Sequence, residues 1–181
     1  MLCGIDEAGR GCLAGPLVVA GVILLEDIDG IDDSKKLTPK SREQLYEKIT
    51  QKSRYKIVTT DNKTIDEIGL SKAIKLSLEK IVAGLKATET IFDGNTTFGV
   101  ENIRSMIKAD TKVKEVAAAS ILAKVTRDRY MINIDREFPQ YGFAKHKGYG
   151  TKDHIKMIEK YGYSKLHRMS FKIKSFQKTL F

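Results

Sequence analysis

At 181 residues, with 41% hydrophobic and 30% charged side chains, the chain is long enough for one domain with a full core and too apolar for a disordered one. A net charge of +9, with an isoelectric point near 9.4, favours a polyanionic partner, most simply nucleic acid. Two cysteines, Cys3 and Cys12, exclude a disulfide scaffold and fit a reduced, cytosolic protein, and nothing in the sequence argues against a monomer.

The first stretch, Gly4-Ile5-Asp6-Glu7-Ala8-Gly9-Arg10-Gly11, places two adjacent carboxylates after a short apolar run. The β-branched run from Leu17 to Leu25 follows, so the acids fall where one strand ends and another is about to begin. Taken alone, Asp-Glu before Gly reads as a turn. The run to Leu25 is too short to span a bilayer and follows acids, not a cationic start, so neither a membrane span nor a signal peptide is expected.

Residues 26–36 are polar, with Asp32-Asp33-Ser34-Lys35-Lys36, and compose a loop. Thr38 as N-cap and Pro39 at the first helical position open a helix that Leu45, Tyr46 and Ile49 continue. Arg54 to Thr60 is β-rich, Thr64 to Gly69 is a turn or short helix, and Leu70 to Leu85 has helical apolar spacing. Thr88 to Phe92 reads as a strand ending at Asp93, and Ile103 to Ala109 as another ending at Asp110.

Val116 to about Phe138 reads as one long helix, stopped by Pro139. Its first half is apolar nearly all round and expected to be buried; its second half, with Arg127, Asp128, Arg129, Asp135, Arg136 and Glu137, is expected to be solvated. Tyr141 to Thr151 is rich in Gly and Lys, Asp153 to Tyr161 is a short helix, and the last segment is basic. His146, His154 and His167 are scattered, without metal-type spacing. Interleaved strands and helices predict one α/β domain with a mixed sheet, its first two strands forming an antiparallel hairpin.

Three predicted strand ends carry acids: Asp6-Glu7, Asp93 and Asp110. Each Asp alone could be a helix cap or a turn residue. Converging, four carboxylates would raise one another's pKa unless cations are bound. Oxygen ligands without His or Cys suit Mg²⁺ or Mn²⁺, and two such ions would activate water and stabilise the leaving oxygen in phosphodiester hydrolysis.

In order along the chain, D-E-A-G-R-G from Asp6, D-S-K-K-L from Asp33, D-G-N from Asp93, A-A-A-S-I-L-A-K-V-T-R-D from Ala117, H-K-G-Y-G-T from His146 and H-R-x-S-F from His167 resemble prokaryotic ribonuclease HII. The resemblance implies a ribonuclease H-like fold, a mixed five-stranded sheet flanked by helices with a helical C-terminal part, over residues 1–171, with a basic tail at 172–181. It implies an endonuclease that cuts the RNA strand of RNA–DNA hybrids and single ribonucleotides within duplex DNA, with two Mg²⁺ or Mn²⁺ ions, leaving 5′-phosphate and 3′-OH ends. A role in ribonucleotide removal and replication-linked repair follows.

By the same resemblance, Asp6, Glu7, Asp93 and Asp110 match the metal-binding catalytic carboxylates, and the main chain of Gly9, Arg10 and Gly11 matches the loop that reads the ribose 2′-OH. Tyr149 matches the tyrosine that, in that family, packs on the sugar beyond the RNA–DNA junction and favours a deoxyribose there. Lys35, Lys36 and Lys147 suit phosphate contacts, and Ser120, inside the buried helix, would reach a phosphate or bond back to its own helix. Where the family often has Lys-Ser after the fourth acid, this chain has Lys112-Val113, without a capping hydroxyl. The end of the chain, Gln177-Lys178-Thr179-Leu180-Phe181, resembles the Gln-x-x-Leu-Phe peptide by which bacterial replication proteins dock on the sliding clamp.

Overall fold

The computed structural model describes residues 1–31 and 37–173. Lys35, Lys36, Gln177, Leu180 and Phe181 therefore lie outside the described residues. Strands β1 (Leu2–Ala8), β2 (Leu17–Leu24), β3 (Ser53–Thr60), β4 (Glu89–Asp93) and β5 (Arg104–Met106) form one mixed sheet in the order β3-β2-β1-β4-β5. The expected hairpin is present: β1 pairs antiparallel with β2, and β2 with β3, whereas β4 and β5 run parallel to β1.

Side-chain alternation on these strands divides the core in two. Cys3, Ile5, Leu17, Val19 and Ile23 face one side, where Ile74, Leu78 and Ile81 of helix α3 (Leu70–Leu85) cover them, next to the short α2 (Asn62–Ile68). Ala8, Val18, Ala20 and Val22 face the other side, covered by α4 (Lys114–Ile134), with Leu45 and Ile49 of α1 (Pro39–Lys52) in the same cluster. The run Ala117-Ala118-Ala119 lets α4 lie close to the sheet. At Gly4 the approach is so close that a Cβ would collide with the main chain of Glu115 and Val116. The α1 start is as expected, with Thr38 accepting from Ser41 N and Pro39 in the first turn.

Two sequence expectations need correcting. Asp110 does not end a strand: β5 stops at Met106, and Asp110 sits in a 3-10 turn, Ala109–Thr111, entered through left-handed Lys108. The long helix starts at Lys114 and ends at Ile134, and tighter turns through Asp135, Arg136 and Glu137 carry the chain to Phe138. After Pro139 come α5 (Phe143–His146) and α6 (Lys152–Tyr161). The segment that follows packs back on the body, and Ile173 is buried. Among the described residues, no helix is long and apolar enough to cross a membrane.

Candidate active site

The sheet register assembles the acids. Parallel pairing of Ile5 with Phe92 sets Asp6 level with Asp93, on neighbouring strands at the same edge of the sheet. Alternation along β1 sends Asp6 to the face covered by α4, where the Ser120 hydroxyl donates to its carboxylate. Ser120 thus has a partner in Asp6, which neither expectation named. Glu7 N–H donates to Asp6 Oδ1 at 2.7 Å, and Asp110 N–H reaches Asp93 Oδ2 at 3.4 Å. Asp110 is itself buried, so the 3-10 turn delivers the fourth acid although no strand does.

This grouping is electrostatically expensive. Burial, followed by the charge of Glu7, pushes the Asp6 carboxyl up to about 8, and Asp93 adds to the effect. Burial also raises Glu7, against the pull of Arg10, and raises Asp93. Arg10 supplies only a 3.4 Å contact to Glu7 Oε1, from a guanidinium that also lies over the Phe98 ring. Glu7 Oε2 is buried with no hydrogen-bond partner among the described residues. A buried anionic oxygen without a donor is a costly arrangement unless a cation is to be received there.

Among the described residues, no three acidic, His or Cys side chains are gathered closely enough to share one ion as they stand. Hard cations such as Mg²⁺ are commonly held by one or two carboxylates, with waters and substrate phosphate completing the shell. The all-oxygen donors, the orphaned Glu7 Oε2 and the raised carboxyls together fit a hard divalent cation.

Next to the acids, Gly9 and Gly11 of the loop between β1 and β2 differ in what surrounds them. Gly9 is left-handed (φ +89°), and a Cβ there would collide with the Arg127 guanidinium. A Cβ on Gly11 would meet no protein atom, so close packing within the protein does not explain that residue. Tyr149 stands beside this loop, 40% exposed, with Lys124 Nζ and Arg127 Cζ each 5.7 Å from its ring centre. Lys147 has left-handed φ of 52°, and its ammonium turns back onto the Ala144 carbonyl.

Four features escaped the sequence. Arg127, expected on a solvated face, is fully buried and donates to the carbonyls of Pro16, Lys147 and Ala14. Arg168, read as part of the H-R-x-S-F motif, is 1% exposed and donates to Gly15 O and Arg10 O. Lys124, passed over inside the long helix, borders Tyr149 and pairs with Asp128 at 2.6 Å.

The three histidines, scattered in sequence, form one buried cluster in which His146 stacks on His154 at 4.2 Å. Ser164 N–H donates to His167 Nδ1, so His167 Nε2–H is left to donate to His154 Nε2, whose Nδ1–H donates to Tyr149 O. Burial holds His154 and His167 down at about 4, which suits this neutral relay. The sequence marked His146 and His167 only by their place in the motifs H-K-G-Y-G-T and H-R-x-S-F, and it marked His154 by none.

The sequence model of the family described as Ribonuclease HII matches residues 3–174. A curated protein of that name from Sulfurovum sp. (strain NBC37-1) is 55% identical over 181 residues, covering 99% of this chain and 96% of its own. Among solved structures, the ribonuclease HII of Archaeoglobus fulgidus, in complex with PCNA, superposes with a TM-score of 0.83 at 30% identity, covering 96% of each chain. The ribonuclease H2 of Pyrococcus horikoshii OT3 superposes with a TM-score of 0.76 at 27% identity, covering 98% and 95%.

Proposed function

Since this chain belongs to the ribonuclease HII family, and is therefore a nuclease acting on the RNA strand of RNA–DNA hybrids, we propose that Asp6, Glu7, Asp93 and Asp110 hold its divalent ions. The observation that carries this is the acid pocket's unmet demand for cations: a buried Glu7 Oε2, without a partner among the described residues, beside an Asp6 carboxyl raised to about 8. Two Mg²⁺ or Mn²⁺ ions bound there would lower the pKa of the attacking water and neutralise charge on the leaving oxygen. The protein's own groups set the ligands in advance. Ser120 and the Glu7 amide orient the Asp6 carboxylate, and the Asp110 amide orients that of Asp93. Products carry 5′-phosphate and 3′-OH ends.

Substrate choice rests on the rim. The main chain of Gly9, Arg10 and Gly11 reads a ribose 2′-OH, the one group that separates RNA from DNA at a given position. The open space around Gly11 supports this, because an absent side chain lets a sugar approach the backbone. The half-exposed Tyr149 ring packs on the following sugar, Lys124 lies beside it for a phosphate, and Lys147, once its ammonium leaves the Ala144 carbonyl, takes another. Lys35 and Lys36 are proposed phosphate contacts as well. The enzyme then cuts at single ribonucleotides in duplex DNA as well as in hybrids, in ribonucleotide removal and repair. The Gln177-x-x-Leu180-Phe181 peptide docks on the sliding clamp, a reading in keeping with the solved relative's complex with PCNA; deleting the last five residues tests this by clamp pull-down. For the site itself, a duplex with one ribonucleotide and its all-deoxy twin are incubated with Mg²⁺, with and without chelator. Cleavage of the first alone, abolished by chelator, is expected; equal cleavage of the all-deoxy twin would refute the specificity.

A further inference from the structure

Arg127 sits under two segments far apart in sequence. Its Nε donates to Pro16 O at 2.8 Å and its Nη2 to Ala14 O at 3.0 Å, while Nη1 donates to Lys147 O at 2.7 Å. One planar fork therefore grips the loop that carries Gly9–Gly11 and the turn that carries Tyr149. The two segments are also joined directly, because Leu13 N–H and Ala14 N–H share Gly148 O at 2.8 and 3.3 Å.

Both sides give up side chains for this contact. A Cβ at Gly9 would collide with the guanidinium and one at Gly148 with the Ala14 carbonyl, and both glycines are left-handed. Lys147 takes a positive φ despite its Cβ, a conformation with a real cost in an L-residue, and its carbonyl ends on the fork. The Tyr149 ring lies above, 5.7 Å from Arg127 Cζ.

From this geometry we infer that Arg127 is a positioning residue for specificity: it fixes the distance between the Gly9–Gly11 loop and Tyr149, and so selects a ribose followed by a deoxyribose. The inference rests on the proposal that these two elements read successive sugars. Two readers on separate loops discriminate a sugar step only while their spacing is held, and an error of about 1 Å can cost on the order of 10²-fold. Arginine is suited to the task because its donors are fixed in one plane; lysine offers a single flexible ammonium that cannot reach three carbonyls in that geometry.

The test uses a duplex with four ribonucleotides inside one DNA strand, scoring cuts at the RNA–DNA junction against cuts within the run. For Arg127→Lys, the junction-to-internal ratio is expected to fall about tenfold, and KM for a single-ribonucleotide duplex to rise more than kcat falls, with the Mg²⁺ dependence unchanged. A uniform loss at every position with the ratio intact is what a purely structural arginine would give, and it would overturn the inference. If Arg127→Lys does not fold, Gly148→Ala pushes the same two segments apart with Arg127 in place and must lower the ratio likewise; an intact ratio there is equally fatal. Tyr149→Ala separates the levels. If it matches wild type, the Tyr149 proposal fails and takes the inference with it. If it loses the preference while Arg127→Lys keeps it, the inference alone fails.

Discussion

Two sets of buried charge flank the loop between β1 and β2, and they are handled in opposite ways. The carboxylates of Asp6, Glu7 and Asp93 are crowded with like charge and shifted toward their protonated forms, and Glu7 Oε2 lacks a donor among the described residues. The guanidiniums of Arg127 and Arg168 are buried more deeply, yet five of their hydrogen bonds end on main-chain carbonyls. Buried charge that is satisfied by the backbone builds the scaffold, whereas buried charge left unsatisfied stores free energy that a ligand can release. The two regions should therefore answer mutation with opposite signs.

The largest effect belongs to the acids. Asp6→Asn should lower single-turnover cleavage by roughly 10³-fold, several kcal/mol of transition-state stabilisation. The same variant should melt higher than wild type when both are free of metal. In the folded protein the Asp6 carboxyl holds its proton up to about pH 8, against 3.8 for an ordinary aspartate. Its contribution to stability is thus present at low pH and lost as pH rises through that window, and the amide removes the loss. Calorimetry at pH 5 and pH 8 checks this: the variant's advantage must be larger at pH 8. A variant that is less stable than wild type at pH 8 would mean that Asp6 carries no stored strain.

At the buried arginines the sign reverses. Arg168→Ala would leave the carbonyls of Gly15 and Arg10 without their donor and should cost about 3 kcal/mol. For a chain of this size that corresponds to a fall in Tm of roughly 10 °C. The side chain is not perfectly housed, since Nη2 finds no partner among the described residues and burial pushes the group down to about 10. An unchanged Tm would show that the carbonyls find water instead and that the comparison between the two regions is mistaken.

What could be read in advance follows the same division. The acids were legible because strand periodicity ends at Asp6-Glu7 and Asp93, and sheet topology does the rest. Asp110 was legible as a residue but not in its setting, since a 3-10 turn entered through left-handed Lys108 leaves no periodic trace. Arg127 was misplaced for a physical reason. Helical periodicity assigns a charged residue to solvent, and only three carbonyls arriving from residues 14, 16 and 147 make its burial affordable. The histidines failed in the same way: at least eight residues apart in sequence, they meet through the fold of the segment from Tyr141 to Arg168.

The histidine relay gives a smaller, pH-dependent effect that sharpens the contrast. His154 and His167 are held at about 4 by burial, against 6.5 in an open chain. Their contribution is complete above pH 6.5 and is lost as pH falls toward 4, the reverse of the acid pocket. Measured in the Asp6→Asn background, where the opposing trend is reduced, Tm should fall between pH 6.5 and 4. A flat profile would contradict the neutral relay that ends on the Tyr149 carbonyl.

The smallest effect lies at the start of α4, between the two regions. Val113 occupies the N-cap in an extended conformation (φ −129°, ψ 116°) and makes no side-chain cap bond. Thr38, Asp61 and Thr151 each cap their own helices with a side-chain oxygen, so the fold accepts such caps where the sequence supplies them. Val113 is also partly buried against Ile91, Ala109 and Val116, which argues against a bare hydroxymethyl in its place. Threonine keeps the branched shape and one methyl while adding the acceptor. Val113→Thr should therefore raise stability by about 1 kcal/mol and Tm by roughly 3 °C, because α4 carries Ser120 and Arg127 toward both charged regions and its first turn lies next to Asp110. If Tm falls instead, the apolar contact of Val113 outweighs the missing cap, and the valine stands there for packing.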